Sequence, residues 1–156
     1  SPLKRTVQTA KALSKCLNFT SMCKEHKLVE QNFGDWAGKR VSDVWEELKY
    51  NKNQHNFSFI CPETCPPNGD SYLDQCNRIS KFIDNFNFDD KKSIVFITHA
   101  GVIRAILSHV LDLVPDKSIG IEISHLSITI IEIIKKNSFK DRGGRFKISK
   151  VNQQIL

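Results

Sequence analysis

Helical and strand-like patterns of apolar residues alternate along the chain. Apolar positions three and four residues apart predict four helices, over residues 1–17, 41–48, 71–86 and 102–113. Short β-branched or alternating runs predict three strands, over residues 93–97, 127–134 and 145–151. The run at 93–97 is apolar after its first residue, which is typical of a strand buried on both faces of a parallel sheet. These alternating elements predict an α/β sandwich with a mainly parallel central sheet.

Two of the predicted helices begin with a recognisable start signal. Ser1 can cap the first helix with Pro2 in its first turn, because proline lacks only a donor that would be unpaired there. Ser71, followed three residues later by Asp74, resembles a capping box for the third helix. Residues 50–70 contain three prolines and show no sustained period, so we expect a long loop or lid there.

Composition indicates one globular domain over residues 1–156. Hydrophobic residues make up 40% of the chain and charged residues 26%, which suits a buried core and a solvated surface. No apolar run approaches the roughly 20 residues that span a bilayer, and the N-terminus lacks a secretory signal pattern. The sequence therefore predicts a cytoplasmic protein that does not bind membranes.

Basic residues outnumber acidic ones, with 23 Lys and Arg against 17 Asp and Glu and a net charge of +6. Such an excess favours an anionic partner, either nucleic acid or a phosphorylated small molecule. The basic residues are dispersed rather than gathered into one stripe, which argues against nucleic acid.

The five cysteines form no recognisable framework. Their number is odd and their density is low, so we expect reduced thiols. Cys61 and Cys65 are four positions apart in a proline-rich loop and lack the paired spacing of zinc sites. The sequence predicts neither a metal nor another cofactor.

Three residues are candidates for chemistry. His99 follows the predicted strand at 93–97 and opens a helix, where unpaired backbone N–H groups favour an anion such as phosphate. Its position is equally compatible with a histidine that caps the helix or packs in the core. Arg5 lies near the start of the first helix, where an arginine is most often a solvated charge. Glu30 lies where a short strand is expected to give way to a glycine-containing turn, and alone it is a weaker signal.

Four segments that include or flank these residues occur in a characteristic order. They read SPLKRTVQTA from residue 1, LVEQNFGDWAGK from residue 28, PPNGDS from residue 66 and VFITHAGVIRAIL from residue 95. Together they resemble the histidine phosphatase superfamily, also called the phosphoglycerate mutase-like family, and most of all its small α-ribazole phosphatase type. The resemblance covers nearly the whole chain and implies the three-layer sandwich of that family.

The resemblance also implies roles for the three candidates. Arg5 and His99 would hold the phosphoryl oxygens, and Glu30 would donate a proton to the leaving oxygen, so that Glu30 and His99 are the catalytic residues. These roles are chemically sensible, because phosphoryl transfer needs fixed donors around the equatorial oxygens and an acid for the leaving group.

One feature of the family has no counterpart in this sequence. Family members begin with a strand ending in Arg-His-Gly, whose histidine becomes phosphorylated, and residues 1–156 contain no such motif. The histidines other than His99 are expected to be structural or solvated, and they are His26, His55, His109 and His125. We therefore expect a chain that is incomplete at its N-terminus, that lacks the first strand of the sheet, and that is inactive as given for want of the nucleophile.

The leading hypothesis is a phosphomonoesterase that acts through a phosphohistidine, with α-ribazole 5'-phosphate as the first substrate to test. A phosphoglycerate mutase or a sugar-phosphate phosphatase would use the same pocket and would differ in the lid. A rival hypothesis is a non-catalytic phosphate-binding pseudoenzyme that has lost the nucleophile. The expected partner is a phosphorylated small molecule, and the sequence leaves a homodimer open.

Overall fold

The computed structural model describes residues 1–17, 21–49, 61–88, 93–134 and 144–154. The helices within those ranges are α1 Lys4–Ser14, α2 Val41–Glu47, α3 Tyr72–Asn85, α4 Ala100–Val110 and α5 Pro115–Ile119. The strands are β1 Ser127–Ile133 and β2 Phe146–Gln154, which pair antiparallel. Short 3-10 turns span His26–Leu28 and Gly34–Trp36.

Helices α3 and α4 form the centre of the core. The apolar stripe of α3 packs against α4, and Ile79 and Val102 are completely buried between them. Burial of one such side chain contributes about 1.5–3 kcal/mol of stability. The helical periods predicted over residues 71–86 and 102–113 therefore correspond to α3 and α4, the two helices at the centre of the core.

The start of α3 is the predicted capping box. The Ser71 hydroxyl accepts a hydrogen bond from the Asp74 backbone N–H at 3.0 Å, and the Asp74 carboxylate accepts one from the Ser71 N–H at 3.0 Å. This reciprocal pairing fixes the first turn of α3 directly after the 66–70 segment.

The start of α1 differs from the prediction. Its N-cap is Leu3 rather than Ser1, and the helix ends at Ser14 rather than at residue 17. The Ser1 hydroxyl instead contacts the imidazole of His99 at 2.9 Å, which draws Ser1 toward α4 and away from the capping position.

The run at 93–97 is extended, but residues 93–99 pair with no strand in the described part of the chain. Phe96 packs into the core beside Phe82, whereas Ile94 and Val95 are 38% and 58% exposed. The prediction that this run is buried on both faces is wrong for the described structure, because no neighbouring strand covers its outer side. The sheet seen here is the antiparallel pair β1–β2, so the parallel central sheet is not confirmed.

Two further predictions concern loops. Residues 26–28 form a 3-10 turn and the chain continues without a strand to Glu30, so the short strand expected before Glu30 is absent. Of the predicted lid at 50–70, residues 50–60 lie outside the described residues, and residues 61–70 form turns that lead into α3. In the described ranges, no helix has the length and apolar character needed to cross a bilayer.

Candidate functional site

Arg5 and His99 are in direct contact although 94 positions separate them in the sequence. The Arg5 Nε donates a hydrogen bond to His99 Nδ1 at 3.2 Å, which joins the first turn of α1 to the start of α4. The two terminal NH2 groups of the guanidinium have no acceptor among the described residues. They are therefore available to an anionic ligand, for which the guanidinium fork is well shaped.

His99 is the N-cap residue of α4 and is only 7% exposed. Burial lowers the pKa of His99, and Arg5 lowers it further while the Glu30 carboxylate acts in the opposite sense. The imidazole is therefore neutral at pH 7. Because Nδ1 accepts from Arg5, the proton of the neutral ring lies on Nε2, which is 2.9 Å from the Ser1 hydroxyl.

Glu30 is held by three hydrogen-bond donors. Its Oε1 accepts from the Gln31 backbone N–H at 3.1 Å and from Gln75 Nε2 at 2.9 Å. Its Oε2 accepts from the Gly101 backbone N–H at 3.3 Å. Because Gly101 follows His99 by two residues, the first turn of α4 brings Glu30 and His99 to the same place.

The backbone before Glu30 is clamped from two sides. Arg78 of α3 donates to the carbonyl oxygens of Lys27 and Val29, with both of its bonds to Val29 at 3.0 Å. Thr98 donates from its hydroxyl to the Leu28 carbonyl oxygen at 2.9 Å. These contacts fix the position of Glu30 relative to α3 and to the extended segment that ends at His99.

The absence of a side chain at Gly101 leaves room for two neighbouring side-chain ends. A Cβ at this position would lie 2.8 Å from Gln75 Oε1 and closer still to Glu30 Oε1. Contacts this short are essentially absent between real side chains, so an added methyl group would force the ends of the Glu30 and Gln75 side chains to shift. Gly101 thus allows the Glu30 carboxylate to reach the N-terminus of α4.

An open cavity of about 650 Å³ adjoins the site. Arg5 and Glu30 supply its charged end, and His99 lies behind Arg5 without lining the cavity itself. Much of the remaining wall is apolar and consists of Leu3, Phe33, Trp36, Ala37, Val41 and Val44. Lys39 also lines the cavity, but its ammonium is paired with Glu47 at 2.8 Å.

The other histidines have different surroundings. His26 and His125 are exposed, and His109 bonds to the Asp84 carboxylate at 2.8 Å and to the Ser80 hydroxyl at 2.9 Å. His55 lies outside the described residues. Among the described residues, no three His, Cys, Asp or Glu side chains come close enough together to hold a metal ion.

Sequence reasoning missed three residues that shape the site, namely Gln75, Arg78 and Gly101. The helical spacing could have identified Gln75, because it places this residue on the buried face of α3, three residues after Tyr72 and four before Ile79. A polar residue in an apolar stripe needs a buried partner. The sequence could not name Glu30 as that partner, since 45 positions separate the two residues.

Comparisons with known proteins identify one family. The family model described as histidine phosphatase superfamily (branch 1) matches residues 1–142. An Escherichia coli structure described as "a putative alpha-ribazole-5'-P phosphatase" is similar at a TM-score of 0.73 and 17% identity, over 99% of this chain and 72% of that chain. A mycobacterial glucosyl-3-phosphoglycerate phosphatase in complex with inorganic phosphate is similar at a TM-score of 0.70 and 18% identity, over 99% and 75%. At these identities the structural likeness shows the fold alone. No curated protein sequence matches the chain significantly.

Proposed function

Because the chain belongs to the histidine phosphatase superfamily, we propose that it forms the phosphate pocket of a phosphomonoesterase that works through a phosphohistidine. The observation that carries this proposal is the hydrogen bond from Arg5 Nε to His99 Nδ1, with Glu30 bound to the first turn of the same helix. A guanidinium, an imidazole and a carboxyl group meet at one helix N-terminus. This arrangement suits a phosphate ester.

In this proposal each group has one task. The free NH2 groups of Arg5 hold the phosphoryl oxygens, a ligand oxygen replaces the Ser1 hydroxyl at the Nε2–H of His99, and the α4 N-terminus adds positive potential. When the ester P–O bond breaks, the electron pair goes to the leaving oxygen, and Glu30 supplies the proton that this oxygen takes up.

In this proposal the nucleophilic histidine is not one of the histidines among the described residues. Neither His26, His109 nor His125 lines the cavity beside Arg5 and Glu30. We propose that the acceptor histidine belongs to a strand outside residues 1–156 that pairs with the extended segment 93–99. The exposed edge of that segment supports this idea, since unpaired backbone groups in an apolar run favour an added strand.

The cavity wall favours a leaving group with an apolar, flat part. The described wall offers aromatic and aliphatic side chains, and its lysine is already paired with Glu47. A second phosphate or a carboxylate would find no unpaired cation there except Arg5. This supports α-ribazole 5'-phosphate, which carries an aromatic base, over 3-phosphoglycerate or a sugar bisphosphate.

The substrate proposal is tested with the complete gene product. We expect kcat/KM for α-ribazole 5'-phosphate to exceed that for 3-phosphoglycerate and fructose bisphosphate by at least about tenfold, which corresponds to roughly 1.4 kcal/mol of extra transition-state binding. Val41→Asp places a carboxylate in the apolar wall and should reduce this preference. Equal or reversed rates would refute the assignment of the substrate while leaving the reaction type open.

Anion binding should depend on pH through His99. Burial keeps the free imidazole neutral at pH 7, whereas a bound dianion favours the imidazolium; binding then adds a proton at Nδ1, and Arg5 Nε turns from that nitrogen to the anion. Sulfate affinity should therefore rise as the pH falls from 8 toward 6, by up to about tenfold per unit. Sulfate is the probe because its own charge stays constant over this range. Calorimetric titration of the wild type and of His99→Gln checks the prediction, and equal pH dependence in both would contradict it.

A second candidate function is phosphate-ligand binding without hydrolysis. One observation favours this function, which is that no histidine of the described residues lines the cavity. Brief exposure of the complete gene product to a labelled phosphodonor separates the two functions. Acid-labile phosphate on the protein supports the enzyme, and its absence together with tight sulfate binding supports the binder.

A further inference from the structure

Gln75 is a buried amide with one end bonded and one end unpaired. Its side chain projects from α3 with no exposed surface, and its Nε2 donates to Glu30 Oε1 at 2.9 Å. Its Oε1 is buried and accepts no hydrogen bond from the described residues. This oxygen lies against Gly101, where an added Cβ would be 2.8 Å away. A buried unpaired carbonyl is costly, so its retention beside a candidate acid needs a physical reason.

The two ends of a glutamine amide have nearly the same shape and opposite hydrogen-bonding roles. An ionised Glu30 needs donors, which the NH2 end provides, whereas a protonated Glu30 needs an acceptor for its O–H, which the C=O end provides. Rotation of the terminal amide exchanges the ends. This torsion is broad and roughly two-fold, so both orientations fit one buried site.

The unpaired oxygen is what makes this exchange inexpensive. If Gln75 Oε1 had its own donor, rotation would break that second bond. Here rotation breaks no second bond, because one amide end is unpaired in either orientation. Each orientation therefore keeps one hydrogen bond to Glu30, and the protonation state of Glu30 decides which orientation is favoured.

We propose that the Gln75 amide rotates with the protonation state of Glu30 and acts as a positioning residue for proton transfer. This inference rests on the proposed function. When Glu30 gives its proton to the leaving oxygen, it becomes a carboxylate and the NH2 end of Gln75 turns toward it. When water later attacks phosphorus and the P–N bond to the acceptor histidine breaks, the water proton returns to Glu30 and the C=O end turns back.

Other charged groups around Glu30 do not supply this adaptability. The groups near it are Arg5 from α1, Arg78 from α3 and His99 before α4. Arg5 and Arg78 stay cationic and can only donate, so they favour the carboxylate alone. Gln75 is the neighbour that contacts the Glu30 carboxyl directly and can serve both of its states.

Nuclear magnetic resonance of the 156-residue chain tests the rotation. At neutral pH the Gln75 amide protons should show a nuclear Overhauser contact with the Gln31 backbone N–H, because both donate to Glu30 Oε1. On acidification this contact should weaken and one to the Gly101 α protons should appear. Both changes should share the midpoint of the Glu30 carboxyl carbon signal. Unchanged contacts through that midpoint would overturn the proposal.

Kinetics of the complete gene product provide a second test that does not depend on folding in acid. The readout is the ratio of kcat/KM for an alkyl phosphate to that for 4-nitrophenyl phosphate, whose leaving group needs no proton. Gln75→Met should lower this ratio about tenfold, the effect of one lost hydrogen bond in the transition state. Gln8→Met, the same change at an exposed position of α1, should leave the ratio unchanged. An unchanged ratio in Gln75→Met would overturn the inference.

Glu30→Gln separates this inference from the proposed function. It should lower the same ratio by more than Gln75→Met does. If Glu30→Gln slows both substrates equally, Glu30 is not the acid and the proposed mechanism fails. If Glu30→Gln lowers the ratio and Gln75→Met does not, only the role of Gln75 fails.

Discussion

Gly101→Ala is expected to destabilise the protein by no more than about 1 kcal/mol, because the added methyl group makes the flexible ends of Glu30 and Gln75 shift and weakens the hydrogen bonds that hold Glu30. Helix propensity alone would favour alanine over glycine by up to about 1 kcal/mol, so the sign of the effect is informative. The measurement is the free energy of unfolding in urea. Displacement of Glu30 by about 1 Å should also slow turnover of an alkyl phosphate by roughly 10²-fold.

Gly120→Ala is the matched control for this substitution. Gly120 ends α5, and the nearest atom to an added Cβ there is the Lys117 carbonyl oxygen at 3.5 Å, an ordinary contact. We expect its effect on stability to stay within about 0.5 kcal/mol. If Gly101→Ala turns over an alkyl phosphate as fast as Gly120→Ala does, then Glu30 does not lie against α4 and the position assigned to the acid is wrong.

Arg5→Ala is expected to weaken sulfate binding about 100-fold, equivalent to roughly 2.7 kcal/mol. It removes both unpaired NH2 groups and the donor that orients His99. Arg5→Lys keeps the charge but loses the fork, so it should recover only part of the affinity. Because Arg5 and His99 are in contact, the double substitution with His99→Gln should cost less than the sum of the single ones.

Lys11→Ala controls for the general effect of charge. It removes one positive charge from an exposed position of the same helix and should change sulfate affinity only slightly at physiological salt. Calorimetric titration compares the variants at one ionic strength. Equal losses in Arg5→Ala and Lys11→Ala would mean that the anion responds to net charge and not to a site at Arg5.

Local elements were predictable from the sequence because their causes are local. The Ser71–Asp74 capping box and the apolar stripe of α3 depend only on residues close together in the sequence, and both predictions are confirmed. The N-cap assigned to Ser1 failed because its hydroxyl has a distant competitor, the imidazole of His99. Propensity describes what a residue prefers when no tertiary partner is present.

The extended run at 93–97 shows the limit of periodicity. An apolar β-branched run encodes a preference for burial, but it does not contain the strand that would bury it. Val95 is more than half exposed in the described structure for that reason. Phe96 of this run still packs against Phe82, so one face of the run contacts the core as predicted.

The candidate site was accessible from the sequence only through the order of its motifs. Nothing local in Arg5, Glu30 or His99 indicates that they approach one another. Taken singly, Arg5 and Glu30 are more simply interpreted as ordinary side chains, and His99 is equally compatible with a structural role. The structure brings Arg5 to His99 and Glu30 to Gly101. The supporting contacts of Gln75 could not be read from sequence order, because they depend on how α3 packs against α4.

We propose that Arg5, His99 and Glu30 surround one tetrahedral anion. A crystal structure of the protein with tungstate, a heavy analogue of phosphate, tests it most directly. We expect one tungstate whose oxygens accept hydrogen bonds from the Arg5 NH2 groups and from His99 Nε2, with the Glu30 carboxyl group within hydrogen-bond distance of another oxygen. Tungstate bound elsewhere, or bound at Arg5 with His99 and Glu30 turned away from it, would contradict this arrangement of the three residues.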